Sequence, residues 1–547
     1  MIKFSKQNRR KQQPGMQAFA ILVRQYRKQL AGILVLSFAS VFLRNVVVIE
    51  LTGDITESIT EGKGAESVRM IILFATVYII YSLADCTASL MQVKFSKKIG
   101  LTAEREFLGK YAEIYYADYY FDREKVAGQI RKGCEGAENG ALCICNIISL
   151  VAGLVISVIY LSYLSFYAVI VCVFMSFIFI AVLNSDNRRL PGLYEKFNVY
   201  AKTLYGKQWE QIRNHKWGRF FRQEKVIAPY NRMVDSFMED LRDIKKIANR
   251  SMLVSRLGTD VIIVIVAGLG AALFFYGTAD KAEVLQIILC VTRLAGSMFS
   301  IPNMRNSWQS SRGDIKVMDD IYIETERQKR KGVKKIRLTD VETLSGRGLT
   351  FGYTDSSKKV LENLDFIFYR GLNVIRGASG RGKSTLFRII GGELPVLHGE
   401  IVLGEEEVTS DKIYDVFDSV EYMAQTPVIL KASIKDNIVM GRNYDEERFK
   451  SAVKLAELSE FIAKAEFGQD QTVSDDSLSS GEKQKIAIAR VIYQNKPVWI
   501  LDEPVSAVDE KAAKNIMKNL ADLGKEKIIL LSTHLDVTES ETVTFSL

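Results

Sequence analysis

The stretch "GASGRGKS", Gly377 to Ser384, fits the spacing G-x-x-x-x-G-K-[ST]. It follows the apolar run "LNVIRG" (372–377) and leads into "STLFRIIGGEL" (384–394), a helical pattern. A strand, a glycine-rich loop and a helix in that order give each residue type a task. Gly377, Gly380 and Gly382 let main-chain N–H groups curl toward phosphate oxygens, and the next helix turns its positive end toward the same anion. Ala378, Ser379, Arg381 and Thr385 lie in the same contact stretch. Lys383 is expected to neutralise the β- and γ-phosphates and Ser384 to ligate Mg²⁺.

Around this loop, short apolar runs alternate with helical patterns from about residue 338 onward, which implies an α/β domain with a largely parallel sheet. Two further strand candidates are "VWILDEP" (498–504) and "KIILLSTH" (527–534). The first delivers Asp502 and Glu503 to its C-terminal end, the edge where open α/β sheets bind ligands. Two adjacent acids there can divide the work. Asp502 would hold Mg²⁺ and Glu503 would orient or deprotonate the attacking water.

The first 305 residues read differently. Six apolar stretches, 29–49, 68–90, 145–164, 166–184, 260–277 and 282–304, have the length and composition of membrane spans. Residues 1–30 hold eight Lys or Arg and no acid, whereas 52–67 hold four acids and one lysine. That asymmetry keeps the N-terminus in the cytoplasm and makes 91–144 and 185–259 long cytoplasmic excursions. The net charge of +9 then reflects basic residues beside anionic lipid, and no nucleic-acid partner is expected. The six cysteines match neither a zinc nor a redox spacing and read as small apolar packing residues. The charged segment "ETERQKRKGVKKIR" (324–337) reads as a linker. The expected division is a basic N-terminal segment (1–28), a six-helix transmembrane domain (29–320), a linker (321–337) and a nucleotide-binding domain (338–547).

"LSSGEKQ" (478–484), lying shortly before "LDEP", resembles the signature motif of ATP-binding cassette (ABC) transporters. Other landmarks of that family follow in order. Tyr353 in "LTFGYTD" looks like the aromatic that stacks on adenine, and Gln425 in "VEYMAQTPVIL" like the glutamine that links Mg²⁺ and the attacking water to the transmembrane half. Asp509 in "SAVD" matches the D-loop, and His534 in "LSTHL" the switch histidine at the γ-phosphate. The resemblance implies an exporter-type half-transporter: an all-α six-helix transmembrane domain fused to one α/β P-loop NTPase of the ABC class, in a bacterial cytoplasmic membrane. It also implies ATP and Mg²⁺ as cofactors and a second half-transporter as partner. The signature residues Leu478, Ser479, Ser480, Gly481 and Glu482 would face the ATP held by that partner.

Two positions depart from the family pattern, Ser480 for a glycine and Glu482 for a glutamine. Both are expected to weaken the site this signature completes, which favours a heterodimer with one competent site, a homodimer being the alternative. Lys383, Asp502, Glu503 and His534 are intact, so the chain's own site is expected to hydrolyse ATP. Only about 28 residues precede the first span, so no leader-cleaving peptidase domain is expected. The expected activity is ATP-driven export of a small peptide, a lipid or an amphipathic drug-like compound. Alternatives are an exporter-shaped importer, an ATP-gated anion channel or a non-transporting ATP sensor. Arg44 and Arg293, charges at membrane depth, are candidates for cargo contact, with pairing of Arg293 to an acid such as Asp260, or snorkelling, as the plainer reading. Aromatic segments at 111–122 and 217–221 are candidates for helices that dock the transmembrane half on the ATPase, and equally for internal packing.

Overall fold

A computed structural model describes residues 14–121, 123–187, 193, 223–353, 359–378, 380–533 and 543–546. The chain forms two compact units. One comprises residues 1–106 and 131–319, the other 107–130 and 320–547.

Among the described residues, six helices are long and apolar enough to cross a membrane: Arg27–Thr60, Gly64–Ala112, Val126–Leu164, Phe166–Asn184, Tyr230–Phe275 and Lys281–Lys331. Each expected span falls on one of them. The fifth expectation runs two residues too far, because the helix ends at Phe275 and Gly277 takes a left-handed turn at φ 71°. In the first unit, Leu161, Cys172, Ile262, Ile287, Cys290 and Leu294 are buried together, while Ile72, Phe177 and Val264 are exposed. Large apolar side chains on the outer surface are the arrangement a hydrocarbon solvent selects.

The first span carries a π-helical turn at Leu43–Val47. The Arg44 Nε donates to the Asn45 Oδ1 at 3.1 Å, and the buried Asn45 donates to the Ser157 Oγ at 3.0 Å. Arg44 is thus held by an amide. Arg293 and Asp260 are both exposed, and no ion pair joins them. Of the plainer readings, the Asp260 pair is therefore not formed, while the exposed Arg293 guanidinium fits snorkelling.

The second unit contains a five-stranded parallel sheet in the order Val543–Ser546, Gly371–Arg376, Ile528–Ser532, Val498–Asp502, Val420–Met423. Its two central strands are buried along their whole length. Alternate residues serve opposite faces: Trp499, Leu501, Ile529 and Leu531 enter one core, and Val498, Ile500, Ile528 and Leu530 the other. A second, antiparallel sheet, Leu361–Tyr369, Thr343–Phe351, His398–Leu403 and Glu406–Val408, adds to the parallel one expected from the alternation of strands and helices.

The segment read as a linker is ordered structure. Residues Asp319–Lys331 form a helix and Val333–Lys335 a strand paired with Ile413–Asp415. Charged side chains cover the helix, so hydrophobic periodicity did not reveal it. Beside Ile321 and Tyr322, its buried positions are polar, Glu324, Thr325 and Gln328. Gln328 accepts from the Tyr115 N–H at 2.8 Å and donates to the Tyr115 carbonyl at 2.9 Å, pairing both main-chain groups of one turn residue.

That turn belongs to 111–122, the first of the two aromatic segments. Tyr116 takes φ 57°, and a short helix, Ala117–Tyr120, follows. The Tyr116 hydroxyl bonds both the N–H and the carbonyl of Tyr414 at 3.4 Å, and burial pushes its phenol up to about 12. Tyr119 lies 5.7 Å from the Phe351 ring, centroid to centroid. The second segment, 217–221, lies outside the described residues.

The central strands set the position of everything at their C-terminal ends. Ile500, at 0% exposure, touches the core beneath them. Ile500→Ala is expected to cost about 2–5 kcal/mol, seen as a lowered Tm for the full chain in detergent; an unchanged Tm would contradict the assigned core.

Candidate nucleotide site

Four parallel strands end side by side and each hands a residue to one edge of the sheet. Strand Gly371–Arg376 leads into the glycine-rich loop, Val498–Asp502 into Glu503, Ile528–Ser532 into Thr533, and Val420–Met423 into the loop bearing Gln425. Ile375, Arg376, Gly377, Lys383, Glu503, Ser532 and Thr533 line one cleft of about 190 Å³.

The loop turns through Gly380 at φ 81° and Gly382 at φ 100°, conformations that favour glycine. A Cβ on Gly382 would also come within 2.8 Å of the Leu361 side chain. The Arg381 N–H closes back on the Ala378 carbonyl at 3.3 Å. The Lys383 Nζ donates to the Gly377 carbonyl at 2.5 Å, which curls the ammonium over the loop. Ser384 is exposed in the first turn of the helix Lys383–Ile390, and the Thr385 hydroxyl shares a 3.3 Å bond with the Tyr353 hydroxyl. Tyr353 is packed edge-on against Phe351, ring centroids 5.2 Å apart. Ser379 lies outside the described residues.

The acidic pair is divided by burial. Asp502 is 4% exposed, and its Oδ1 accepts the Ser532 hydroxyl at 2.6 Å. The sheet register puts Asp502 directly opposite Ser532. Burial, and then the Asp502 charge, push the neighbouring Tyr422 phenol upward. Glu503 instead points to the cleft, its Oε2 accepting from the Gln425 Nε2 at 2.9 Å. Its backbone is left-handed, φ 51°, which costs a residue with a side chain about 1 kcal/mol or more. The Glu503 N–H donates to both the carbonyl and the hydroxyl of Ser532 at 3.1 Å. Ser532 therefore fixes both acids, although its identity gave no signal in the sequence.

A divalent cation suits this donor set. Ser384, Gln425 and Asp502 offer only hard oxygens, and among the described residues no basic side chain is ion-paired with Asp502. His534 lies outside the described residues; the two residues before it, Ser532 and Thr533, line the cleft.

The signature stretch begins the helix Ser480–Gln494. Ser479 caps it in a reciprocal box: its hydroxyl accepts from the Glu482 N–H at 3.3 Å, and the Glu482 carboxylate accepts from the Ser479 N–H at 2.8 Å. The departure at Glu482 is therefore turned back onto the start of its own helix, and the departure at Ser480 is exposed. Leu478 is buried, anchoring the approach to the helix. Gly481 has a steric reason: a Cβ there would lie 2.7 Å from the Ala507 carbonyl oxygen. Asp509 caps the next helix through the Ala512 N–H at 2.9 Å; that bond, with the Lys485 charge, holds its carboxyl below the usual range. A residue outside the predicted set, the buried Gln484, joins the signature helix to the main chain of Glu503 and Ala507.

This phosphate loop, acidic strand end and capped helix define a nucleotide-binding domain of the P-loop class. Residues 361–506 match the ABC transporter family. The chain is 28% identical over 313 residues to the Bacillus subtilis glutathione/L-cysteine transport system ATP-binding/permease protein CydD, 55% of this chain and 54% of that protein. It is 27% identical over 289 residues to the ATP-dependent lipid A-core flippase of Pectobacterium atrosepticum, 50% of this chain and 49% of that one. It thus spans about half the length of these curated relatives. A solved bacterial Atm1-family ABC exporter with ATP bound superposes with a TM-score of 0.77 at 17% identity, covering 94% of this chain and 91% of that one. Six candidate spans together with one such domain give the chain the fold of that solved exporter.

Replacing Gly481 by Ala should force the Ala507 main chain to move, costing about 1–3 kcal/mol, whereas Ser480→Ala, on the exposed neighbour, should stay within about 0.5 kcal/mol. Thermal unfolding of both variants checks the pair, and equal stabilities would refute the close approach.

Proposed function

We propose that the chain hydrolyses ATP in the cleft beside Lys383 and couples that reaction to export across a bacterial cytoplasmic membrane, as one half of a dimer. The observation that carries this reading is Glu503: a carboxylate held against Gln425, at the mouth of a cleft that the phosphate-loop lysine also lines. Lys383 and the loop N–H groups would bind the β- and γ-phosphates, and Tyr353 would support the adenine. Gln425 and Glu503 would orient a water in line with the γ-phosphorus, Glu503 taking its proton as the new P–O bond forms and the bridging bond to the β-phosphate breaks, with ADP as the leaving group. His534 would contact the γ-phosphate. Ser384, Gln425 and Asp502 would hold Mg²⁺, which supplies neutralising charge to the phosphates when bound.

The signature residues 478–482 and Asp509 would complete a site on the partner subunit. The capping box supports a weakened site there. The Glu482 carboxylate occupies the Ser479 N–H, a donor an anion would otherwise use, and brings negative charge to the same helix end. That asymmetry supports a heterodimer with one strong and one weak site, a homodimer with two modestly altered sites being the alternative. The cargo class is a small peptide, lipid or amphipathic compound. Relatives named for glutathione and L-cysteine transport and for flipping lipid A-core both fall within it. The exposed Arg293 would suit an anionic group on such a cargo.

Reconstituted in vesicles with ATP and Mg²⁺, Glu503→Gln should hydrolyse ATP at least about 100-fold more slowly than the native chain. Equal hydrolysis by the two would remove Glu503 from the reaction.

A further inference from the structure

Glu503 sits in a conformation it would not choose, so something must hold it there. Its N–H is fixed by Ser532 from one side, and its carboxylate by Gln425. The third restraint comes from the signature helix. Gln484 is 3% exposed, and its Nε2 donates to the Glu503 carbonyl at 3.2 Å and to the Ser506 hydroxyl at 2.9 Å. Its Oε1 accepts from the Ala507 N–H at 2.9 Å. A buried amide that satisfies both its donor and its acceptor on one short loop is a rigid clamp. The clamp spans Glu503 to Ala507, from the proposed catalytic carboxylate to the residue against which Gly481 packs.

The same helix is tied down at its other end. Arg490 donates to the Asn437 carbonyl at 2.8 Å and to the Val428 carbonyl at 2.9 Å, three residues beyond Gln425. The signature helix therefore bonds to the chain following Gln425 and, through Gln484, to Glu503.

We propose that Gln484 is a positioning residue for ATP hydrolysis, holding the Glu503 main chain left-handed so that its carboxylate faces the cleft. The inference rests on the ATPase reading above. Without the clamp, the Glu503 carbonyl loses its side-chain donor and retains the longer 3.4 Å bond from the Ser506 N–H, and residue 503 can relax toward the right-handed region preferred by side-chain-bearing residues. Nucleotide binding, which uses the loop 377–385, is left in place.

The test uses the full chain in detergent with any subunit that co-purifies, measuring ATPase kcat per nucleotide-occupied site, the KM for ATP, and Tm. Three variants separate the bonds. Gln484→Met removes all of them, Gln484→Glu keeps the acceptor for the Ala507 N–H, and Ser506→Ala removes one partner of the amide only. The expected result is a loss of at least about tenfold in kcat for Gln484→Met and Gln484→Glu, with KM within about twofold and Ser506→Ala within about threefold of the native chain. Unchanged kcat per occupied site in both Gln484 variants overturns the proposal, whatever happens to Tm. A Ser506→Ala loss as large as that of Gln484→Met also overturns it, placing the effect on the loop and not on Glu503. Absence of hydrolysis by the unmutated protein would instead overturn the ATPase reading itself.

Discussion

Everything at the site depends on one register, Asp502 beside Ser532 in two fully buried parallel strands. Slide either strand by one residue and side chains exchange faces. The Ser532 hydroxyl would no longer reach Asp502, and its main chain would no longer anchor Glu503. Register is secured from below, where Val498, Ile500, Ile528 and Leu530 fill one core and Trp499, Leu501, Ile529 and Leu531 the other. Apolar burial, which has no direction of its own, thus fixes the placement of two carboxylates that the proposed reaction would use in different environments. Asp502 is sealed in with a hydroxyl; Glu503 is turned out to the cleft by a backbone conformation that the surroundings enforce.

The signature helix shows the same economy of parts. Its N-terminus is closed by Ser479 and Glu482, its first turn rests on Ala507 at a glycine, and its buried Gln484 holds Glu503. A motif read in sequence as facing a partner's nucleotide is, within one chain, also a structural brace for that chain's own cleft. The proposed partner contact and the brace would share the start of one helix. Changes at Ser480, which is exposed, leave the brace intact, whereas changes at Gly481 do not.

Much of this was legible in the residues. Six apolar stretches announced the candidate spans, and the loop from Gly377 to Ser384 announced its strand and helix, because period, length and glycine spacing are local properties. What escaped was set by distant partners. The helix Asp319–Lys331 adds buried polar residues to a short apolar pair, Ile321 and Tyr322, and one of them, Gln328, pairs with the main-chain groups of Tyr115. Ser532 and Gln484 are ordinary residues until the sheet register and the helix packing bring them to Asp502 and Glu503. The positive φ of Glu503 is likewise invisible in a strand-ending acid pair. Ser379 and His534, predicted from motif and resemblance, lie outside the described residues, and their roles rest on the sequence alone.

The most direct measurement is a map of the full chain with Mg²⁺ and a non-hydrolysable ATP analogue, at a resolution that defines main-chain torsions. The expected result has the triphosphate against residues 377–385, with residue 503 still at positive φ and its carboxylate directed at the terminal phosphate. Nucleotide bound elsewhere, or residue 503 relaxed into the right-handed region with its carboxylate turned away, would contradict it.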